Sequence, residues 1–319
     1  MVLTDTAEMI KNMEIRGAGR IARAAVEALR KHSLKIETPD TESYCQEMKE
    51  AGAVLARARP TAVSLPNAIH MVISSLDCTL PAVEARERFD ARCREFLQRS
   101  EDAVARIGEI GARHIRDGDI LLTHCNSEAA LACMLEARRK GIDFEVFATE
   151  VRPRNQGLLT LRTLNDAGIK TNYIVDSAVR NYINDVDLVI VGADAVTVNG
   201  AVVNKIGTSQ IALSAHEART NFLVAAETYK FAPRTILGEY IEIEERPPDE
   251  VLAPDIARTL PNVVVRNPAF DVTPAEYIDM IVTEVGAIPP QMAYVIIRDY
   301  LGWEIEEYHR NYGAKLSQG

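Results

Sequence analysis

The strongest constraint on the fold is a series of short apolar runs, rich in β-branched residues, that begins at Asp119. The runs read DILLTHC, FEVFATE, TNYIVD, DLVIVGAD, NFLVAAE and NVVVRN, and helical stretches such as SEAALACMLEARRKG and TSQIALSAHEART separate most of them. Near-continuous apolar strands that alternate with helices are typical of a parallel sheet covered on both faces. We therefore predict a Rossmann-like, doubly wound α/β domain with a mostly parallel sheet over residues 118–319.

The first third of the chain has a helical pattern instead. Apolar residues recur at three-and-four spacing in TDTAEMIKNME, GRIARAAVEALRKHS and TESYCQEMKEAGAVLARA, and a long charged amphipathic stretch follows from about Pro81 to Arg116. This pattern predicts a helical N-terminal domain over residues 1–117. We expect the active site in the cleft between the two domains.

The overall charge limits the classes of partner. The 319 residues carry 36 Lys and Arg against 46 Asp and Glu, a net charge of −10. An acidic chain argues against a nucleic-acid or membrane-surface binder, but it still allows a small anionic ligand held by a few basic side chains. Five cysteines without a CxxC pair argue against a disulfide framework or zinc ribbon. With no signal peptide or membrane-spanning run, we expect a cytoplasmic protein with reduced thiols.

Two cysteines lie close together in the segment LLTHCNSEAALACML. Cys125 is in the turn between a strand and a helix capped by Asn126 or Ser127, where the helix dipole and His124 can favour the thiolate. The alternative is a small buried apolar side chain. Cys133 lies in mid-helix among leucine and methionine side chains, so we expect it to be part of the core.

A second group of candidates follows the strand DLVIVGAD. Asp194 ends this apolar run, and a carboxyl group in apolar surroundings can act as a general acid near neutral pH. Capping of the next turn is the alternative. Beyond it, an Asn-Gly turn precedes Asn204, Lys205 and a glycine and threonine at a helix start, an arrangement that suits an oxyanion or phosphate. For Lys205, an ordinary surface position is equally compatible with the sequence.

The segment RGAGRIA formally fits a dinucleotide-binding fingerprint. The residues before it have a helical pattern, whereas the fingerprint requires a strand there, so we reject NAD binding. Glycines before a helix, flanked by Arg16 and Arg20, still form a credible phosphate cradle, with an interhelical hinge as the alternative. Arg59 and Lys230 are further cationic candidates, whereas His124 and His216 lack metal-ligand spacing.

Several motifs occur in order along nearly the whole chain. The motifs are RGAGRIA, ARPTAVSLPNAI, LLTHCNSEAALA, EVRPRNQG, VGADAVTVNGAVVNKIGT, ETYKF and NPAFDVTP. Together they resemble the motifs of one superfamily. It comprises the regulatory subunits of the translation-initiation guanine nucleotide exchange factor and two sugar-phosphate isomerases, which act on 5-methylthioribose 1-phosphate and on ribose 1,5-bisphosphate. The archaeal ribose 1,5-bisphosphate isomerases are the most similar branch.

The resemblance implies roles for individual residues. The isomerases of this superfamily use the cysteine of THCN and the aspartate of GAD, which correspond to Cys125 and Asp194. The residues implied to contact the substrate are Arg16, Gly17, Ala18, Gly19, Arg59, Ser127, Glu128, Ala129, Asn204, Lys205 and Lys230. No metal and no cofactor is implied.

The implied reaction converts ribose 1,5-bisphosphate to ribulose 1,5-bisphosphate in AMP salvage. Asp194 would assist ring opening and Cys125 would remove the C2 proton, with hydride transfer as the rival route. Action on 5-methylthioribose 1-phosphate and a non-catalytic regulatory subunit are the alternatives. The resemblance also implies a homo-oligomer, a dimer or a hexamer.

Overall fold

The N-terminal part of the chain folds into packed α-helices, as its spacing predicts. A computed structural model of the protein describes residues 3–15, 17–59 and 62–301. The apolar faces bury Ile21, Leu29 and Met48 completely. An Asp40 side-chain oxygen accepts the Ser43 amide at 2.8 Å and so caps the third helix. The helices of this part are α1 Leu3–Lys11, α2 Ala18–Ser33, α3 Thr41–Ala58, α4 Ser64–Ile73 and α5 Ala82–Gly111.

A disulfide bond within these helices corrects the expectation of reduced thiols. Cys45 of α3 is joined to Cys78, in the turn that follows α4, with the two Cα atoms 6.2 Å apart. The other three cysteines are free thiols. The odd cysteine count and the absence of a CxxC pair could not reveal this bond, because helix packing brings together two residues that are 33 positions apart.

The chain divides into two compact units, and the division falls within α5. The helical unit contains residues up to Ala103 together with Tyr229–Phe231, and the α/β unit contains Val104–Thr228 and the residues from Ala232 onward. The sequence prediction placed the change at residue 117, where the strand pattern begins, whereas the compact α/β unit includes the last turns of α5. In the part of the chain that the structure describes, no helix has the length and apolar character needed to cross a membrane.

The α/β unit contains the predicted mostly parallel sheet. Among the described residues, seven strands pair in the order β10-β9-β7-β4-β1-β2-β3, and only the edge strand β10 is antiparallel. All five residues of β4 are buried, as expected for a strand covered on both faces. The strands are β1 Ile120–Thr123, β2 Glu145–Thr149, β3 Lys170–Ile174, β4 Leu188–Gly192, β7 Asn221–Ala225, β9 Met280–Thr283 and β10 Gly286–Ile288.

A small antiparallel sheet completes the unit. Its strands, β5 Ala195–Val196, β6 Val202–Lys205 and β8 Phe270–Thr273, lie in the order β5-β6-β8. The predicted Asn-Gly turn connects β5 to β6, with Gly200 at a φ of 81°. The helices of this unit are α6 Glu128–Arg139, α7 Gly157–Asp166, α8 Val179–Tyr182, α9 Thr208–Ala218, α10 Pro254–Ala257 and α11 Ala293–Leu301.

One predicted strand is wrong. The run NVVVRN at residues 262–267 forms no strand, and Val263 and Val264 are 54% and 81% exposed. The strand that pairs in parallel with β7 is instead β9, which lies further along the chain. A run of β-branched residues has strand propensity, but it becomes a strand only where a neighbouring strand offers hydrogen-bond partners.

Candidate active site

The strand order places the ends of β1 and β4 next to each other at a topological switch point. From β1 the chain adds β2 and β3 on one side, and β4 then pairs with the other side of β1. Ligands of open α/β sheets bind in the crevice that such a reversal creates. Cys125 and Asp194 each lie two residues beyond the end of their strand, so both predicted catalytic residues border this crevice.

The backbone of Cys125 is held in an unusual conformation. Its φ of 68° lies in the left-handed region, which non-glycine residues rarely adopt. The Thr160 hydroxyl of α7 donates to the Cys125 carbonyl at 2.8 Å, and the thiol lies 3.8 Å from the side-chain oxygen of Gln156. These contacts fix where the thiol points, and strained positions of this kind cluster at functional sites.

Charged groups surround the thiol, but burial dominates its acidity. Burial raises the pKa of Cys125 to about 11, while the Lys205 ammonium and the Asn126 amide act in the opposite direction and the Asp194 and Asp176 carboxylates raise it further. The amide just before the helix start thus favours the thiolate, as expected, but burial outweighs it in the free protein. The same electrostatic interactions show that Lys205 and Asp194 lie near Cys125.

His124 is a neutral structural residue in this site. Its Nε2 lies 2.9 Å from the Ile206 carbonyl, which only accepts, so Nε2 carries the hydrogen and Nδ1 accepts from the Thr149 hydroxyl at 2.6 Å. Burial lowers the pKa of the imidazole. His124 therefore fixes neighbouring loops and supplies no positive charge to the thiol.

The start of α6 follows directly from the turn that contains Cys125. Ser127 caps the helix by accepting the Ala130 amide at 3.2 Å, which confirms one of the two predicted caps, and Glu128 and Ala129 form the first helical turn. Ser127 lies against the end of β4, because a Cβ built on Gly192 would be 2.3 Å from its Oγ. The absence of a side chain at Gly192 thus allows the helix start to approach the switch point.

We expect Gly192→Ala to be destabilising because its methyl group would overlap Ser127. Overpacking of this kind lowers the free energy of unfolding by about 1–3 kcal/mol, measurable by chemical denaturation. Ser127→Gly removes both atoms that the new methyl group meets, and glycine costs only a few tenths of a kcal/mol relative to serine as a cap. The double variant should therefore recover most of the loss; a double variant as unstable as Gly192→Ala would contradict the packing argument.

Asn204 and Lys205 are the last two residues of β6, and hydrogen bonds join them to the start of α9. The Asn204 amide donates to the Thr208 hydroxyl at 3.0 Å, and that hydroxyl donates to the Lys205 carbonyl at 2.6 Å. The Lys205 ammonium lies over the Phe270 ring, 4.8 Å from its centroid. Lys205 is therefore a held cation close to Cys125 rather than an ordinary surface lysine.

The start of α9 differs from the expected phosphate site. The amides of Gly207 and Ser209 donate to one carboxylate oxygen of Asp271, at 2.7 and 3.1 Å. Burial raises the pKa of Asp271 to about 6. An internal carboxylate, from a strand 62 or more positions further along the chain, occupies donors that we expected to bind a ligand anion.

The helical unit contains the other predicted substrate contacts. Gly17, at a φ of 88°, immediately precedes α2, and Ala18 and Gly19 begin the helix. Gly17, the residue at the cap position of α2, makes no side-chain cap bond to the helix. A phosphate bound at the first amides of α2 stays a prediction. Arg59 ends α3, and Arg16 lies outside the described residues.

Lys230 belongs to the short segment that joins the helical unit. It lies in a 3-10 turn with only 6% of its surface exposed. The Asn67 side-chain amide of α4 donates to the carbonyls of Tyr229 and Phe231, at 2.9 and 2.7 Å, and so holds the backbone on both sides of Lys230. The segment Tyr229–Phe231 is thereby held to α4 by a buried amide.

Four residues near Cys125 and Lys205 escaped the sequence interpretation. Gln156 and Thr160 contact Cys125, Asp176 accepts the amides of Val151 and Arg152 at 2.9 and 2.8 Å, and Asp271 caps α9. Gln156 lies in the motif EVRPRNQG and Asp271 in NPAFDVTP, which were noticed only as parts of a resemblance. Their roles depend on contacts 31 to 64 positions away, which no local pattern reveals.

Comparison with known proteins assigns the family. The sequence pattern of the Initiation factor 2 subunit family matches residues 14–290. The chain belongs to this family. It is 56% identical, over 95% of its length and 96% of the relative, to a protein of Methanocaldococcus jannaschii named ribose 1,5-bisphosphate isomerase.

Two solved structures from Pyrococcus horikoshii represent the other branches. A structure titled as the translation initiation factor eIF-2B superposes with a TM-score of 0.77 at 32% identity, covering 90% of this chain and 97% of its own. A structure of 5-methylthioribose 1-phosphate isomerase gives a TM-score of 0.74 at 29% identity, covering 92% of this chain and 86% of its own. The fold is therefore common to the branches, and identity is much higher to the bisphosphate isomerase.

Proposed function

We propose that this protein isomerises ribose 1,5-bisphosphate to ribulose 1,5-bisphosphate. The observation that carries the proposal is the pairing of Cys125 and Asp194 at the switch point of a chain 56% identical to a protein named for this activity. A thiol and a carboxyl group on neighbouring strand ends are the base and acid that a ring-opening isomerisation requires.

The proposed steps balance in protons. The phosphate on C1 locks the ribose ring, so Asp194 donates a proton to the ring oxygen as its bond to C1 breaks. Cys125, as thiolate, takes the proton from C2, which leaves an enol between C1 and C2. The thiol then returns a proton to C1, and the C2 hydroxyl proton goes back to the Asp194 carboxylate as the ketone forms. Positioned groups of this kind contribute about 10²–10⁴-fold each.

The two phosphates of the proposed substrate would bind two sets of basic side chains and backbone amides, one set in each unit. In the α/β unit, Lys205 and Asn204 would hold one anionic end, while Ser127, Glu128 and Ala129 at the start of α6 would contact the sugar. In the helical unit, Gly17, Ala18 and Gly19 at the start of α2, together with Arg59, Lys230 and the predicted contact Arg16, would hold the other phosphate. A substrate with two phosphates uses both cationic sets, whereas a methylthio group needs an apolar pocket in place of one.

The two alternatives correspond to the other branches of the family. Isomerisation of 5-methylthioribose 1-phosphate would use the same Cys125 and Asp194, and the solved structure of such an enzyme shares this fold. A regulatory subunit would explain the likeness to the initiation factor structure, but it gives no role to a thiol in a strained turn beside a cation. The proposed branch implies that the ribulose 1,5-bisphosphate supplies a carboxylase in AMP salvage. It also implies a cytoplasmic location and assembly into a dimer or a hexamer.

The decisive experiment compares the two sugar phosphates as substrates for the purified protein. We expect turnover of ribose 1,5-bisphosphate with kcat/KM at least 10²-fold above that for 5-methylthioribose 1-phosphate, because the methylthio sugar lacks one of the two phosphates that the cationic groups would bind. The reverse preference would move the protein to the methylthio branch. Absence of turnover on both would exclude the enzyme proposal.

Solvent deuterium separates the proton route from hydride transfer. In D₂O the proton route places deuterium on C1 of the product, because the Cys125 thiol exchanges with solvent before it reprotonates C1. Hydride transfer moves the C2 hydrogen directly and leaves C1 free of deuterium. Proton NMR of the product therefore tests the role of Cys125 as base independently of which substrate is preferred.

A further inference from the structure

Asp271 is a buried carboxylate that the proposed reaction does not use. One of its oxygens accepts the amides of Gly207 and Ser209, and its other oxygen is buried with no hydrogen-bond partner within the described part of the chain. An uncharged cap would satisfy the same amides, since asparagine and serine cap helices about as well as aspartate. Burying a charge here therefore needs a reason beyond capping α9.

Asp271 binds backbone amides that lie just after Lys205 in the chain. Gly207 lies in the short turn that follows Lys205, and Ser209 is the second residue of α9. Bonds from amides to an ionised carboxylate are about twice as strong as neutral ones. In the β6–β8 pairing, Lys205 lies opposite Phe270, whose ring lies under the ammonium. Neighbouring residues of β8 thus hold the lysine side chain and the turn that follows it.

Lys205 is in turn the cation that acts on Cys125. Among the groups that influence the thiol, Lys205 lowers its pKa most, against burial and against the carboxylates of Asp194 and Asp176. Uncharged groups also lie beside the thiol, among them the Asn126 amide and the side chain of Gln156. The neutral ring of His124 bonds to the Ile206 carbonyl within the same turn. Displacement of this turn would therefore remove the main favourable charge from the thiol.

We propose that Asp271 is a positioning residue whose carboxylate fixes the turn between β6 and α9 and so holds the Lys205 ammonium close to the Cys125 thiol. The inference deepens the proposed function, and its kinetic consequences rest on that function. Its test by thiol chemistry needs no substrate. A failure of the proposed reaction and a failure of this inference are therefore distinguishable.

The test is the rate at which iodoacetamide alkylates Cys125 at pH 8, measured by peptide mass spectrometry. Cys93 and Cys133 are fully buried and Cys45 is bonded to Cys78, so Cys125 is the partly exposed free thiol. We expect Asp271→Asn to slow alkylation about threefold to tenfold, because thiolate, the reactive form, becomes scarcer when Lys205 moves away. Asp271→Glu keeps the charge and should restore part of the rate.

The sign of the effect separates positioning from simple electrostatics. Removal of a nearby negative charge by itself favours the thiolate and would accelerate alkylation. An Asp271→Asn variant that reacts as fast as the wild type, or faster, would therefore overturn the inference. Lys205→Met should slow alkylation to a similar extent, and the double variant should be no slower than Lys205→Met alone, since both changes act through one ammonium.

Two further variants guard against a trivial loss of structure. Asp279 also accepts a backbone amide, that of Phe222 at 2.7 Å, at the opposite end of the sheet, so Asp279→Asn should leave alkylation unchanged. If Asp271→Asn fails to fold, Phe270→Leu replaces it: the change removes the ring under the ammonium and leaves Asp271 intact. Slower alkylation in Phe270→Leu supports positioning by β8, and an unchanged rate contradicts it.

If the parent protein turns over the bisphosphate, the same variants give a kinetic readout. We expect Asp271→Asn to raise KM more than it lowers kcat, because Lys205 would bind a phosphate in the ground state as well as the transition state. If the Asp271 variants change the alkylation rate but the parent protein has no turnover, the positioning role is supported and the proposed reaction is rejected. Normal alkylation with normal turnover would reject the positioning role alone.

Discussion

Cys125→Ser is expected to lower kcat/KM by about 10²–10⁴-fold, the contribution of a positioned base. Serine preserves the size of the side chain, but its hydroxyl is a far weaker acid than a thiol and forms almost no anion near neutral pH. Because burial holds the pKa of the Cys125 thiol at about 11, thiolate is scarce in the free protein at pH 7. The wild-type kcat/KM should therefore rise with pH between about 7 and 10, following the ionisation of the thiol.

Cys133→Ser is the matched control for this change. Cys133 is fully buried in α6, with its sulfur 3.3 Å from the Ala129 carbonyl, and the hydroxyl of serine can make the same bond. A small loss of stability with kcat/KM retained is the expected result. If Cys133→Ser abolished turnover while Cys125→Ser retained it, the assignment of the reactive thiol would be reversed. A wild-type profile that is flat above pH 7 would contradict the base role of Cys125.

Asp194→Asn is expected to reduce kcat/KM by a similar factor, about 10²–10⁴-fold. The amide is isosteric and leaves the backbone bond from residue 194 to the Val203 carbonyl, at 2.9 Å, in place. It cannot transfer a proton to the ring oxygen, so ring opening loses its acid. Steady-state kinetics on ribose 1,5-bisphosphate measures the loss.

A second readout shows whether Asp194 is still next to Cys125 in this variant. The Asp194 carboxylate raises the pKa of the thiol, so its neutralisation should make alkylation of Cys125 faster even as turnover falls. Asp187→Asn provides the control, because Asp187 accepts the Ile120 amide at the opposite end of β1 and should affect neither measurement. Turnover that survives in Asp194→Asn would exclude this carboxyl group as the acid.

The sequence predicted the elements that depend on local pattern. The helical first third, the mostly parallel sheet and the cap at Ser127 all follow from periodicity and end signals, and the structure confirms them. Local pattern does not predict strand pairing. It indicated a strand at residues 262–267 and missed β9, because pairing with β7 decides which apolar run becomes a strand. The Cys45–Cys78 bond has the same cause, a contact between distant residues.

The candidate site shows the same division between local and distant effects. The sequence correctly places Cys125 and Asp194 just beyond strand ends, but it does not show that the two strands are neighbours or how acidic the thiol is. Proximity in sequence suggested that His124 would favour the thiolate, whereas its two ring nitrogens are bonded to Thr149 and Ile206 and the ring is neutral. Burial and the position of Lys205 determine the thiol's pKa, and both depend on tertiary packing.

The left-handed backbone at Cys125 has a consequence for how sequences of this kind can change. At a φ of 68° an L-amino acid is less stable than glycine by about 1–2 kcal/mol, so selection for thermostability alone would favour glycine at this position. Glycine would remove the thiol and with it the proposed chemistry. The residue proposed as the base thus lowers the stability of its own turn, and a descendant that no longer needed the thiol would be free to replace it.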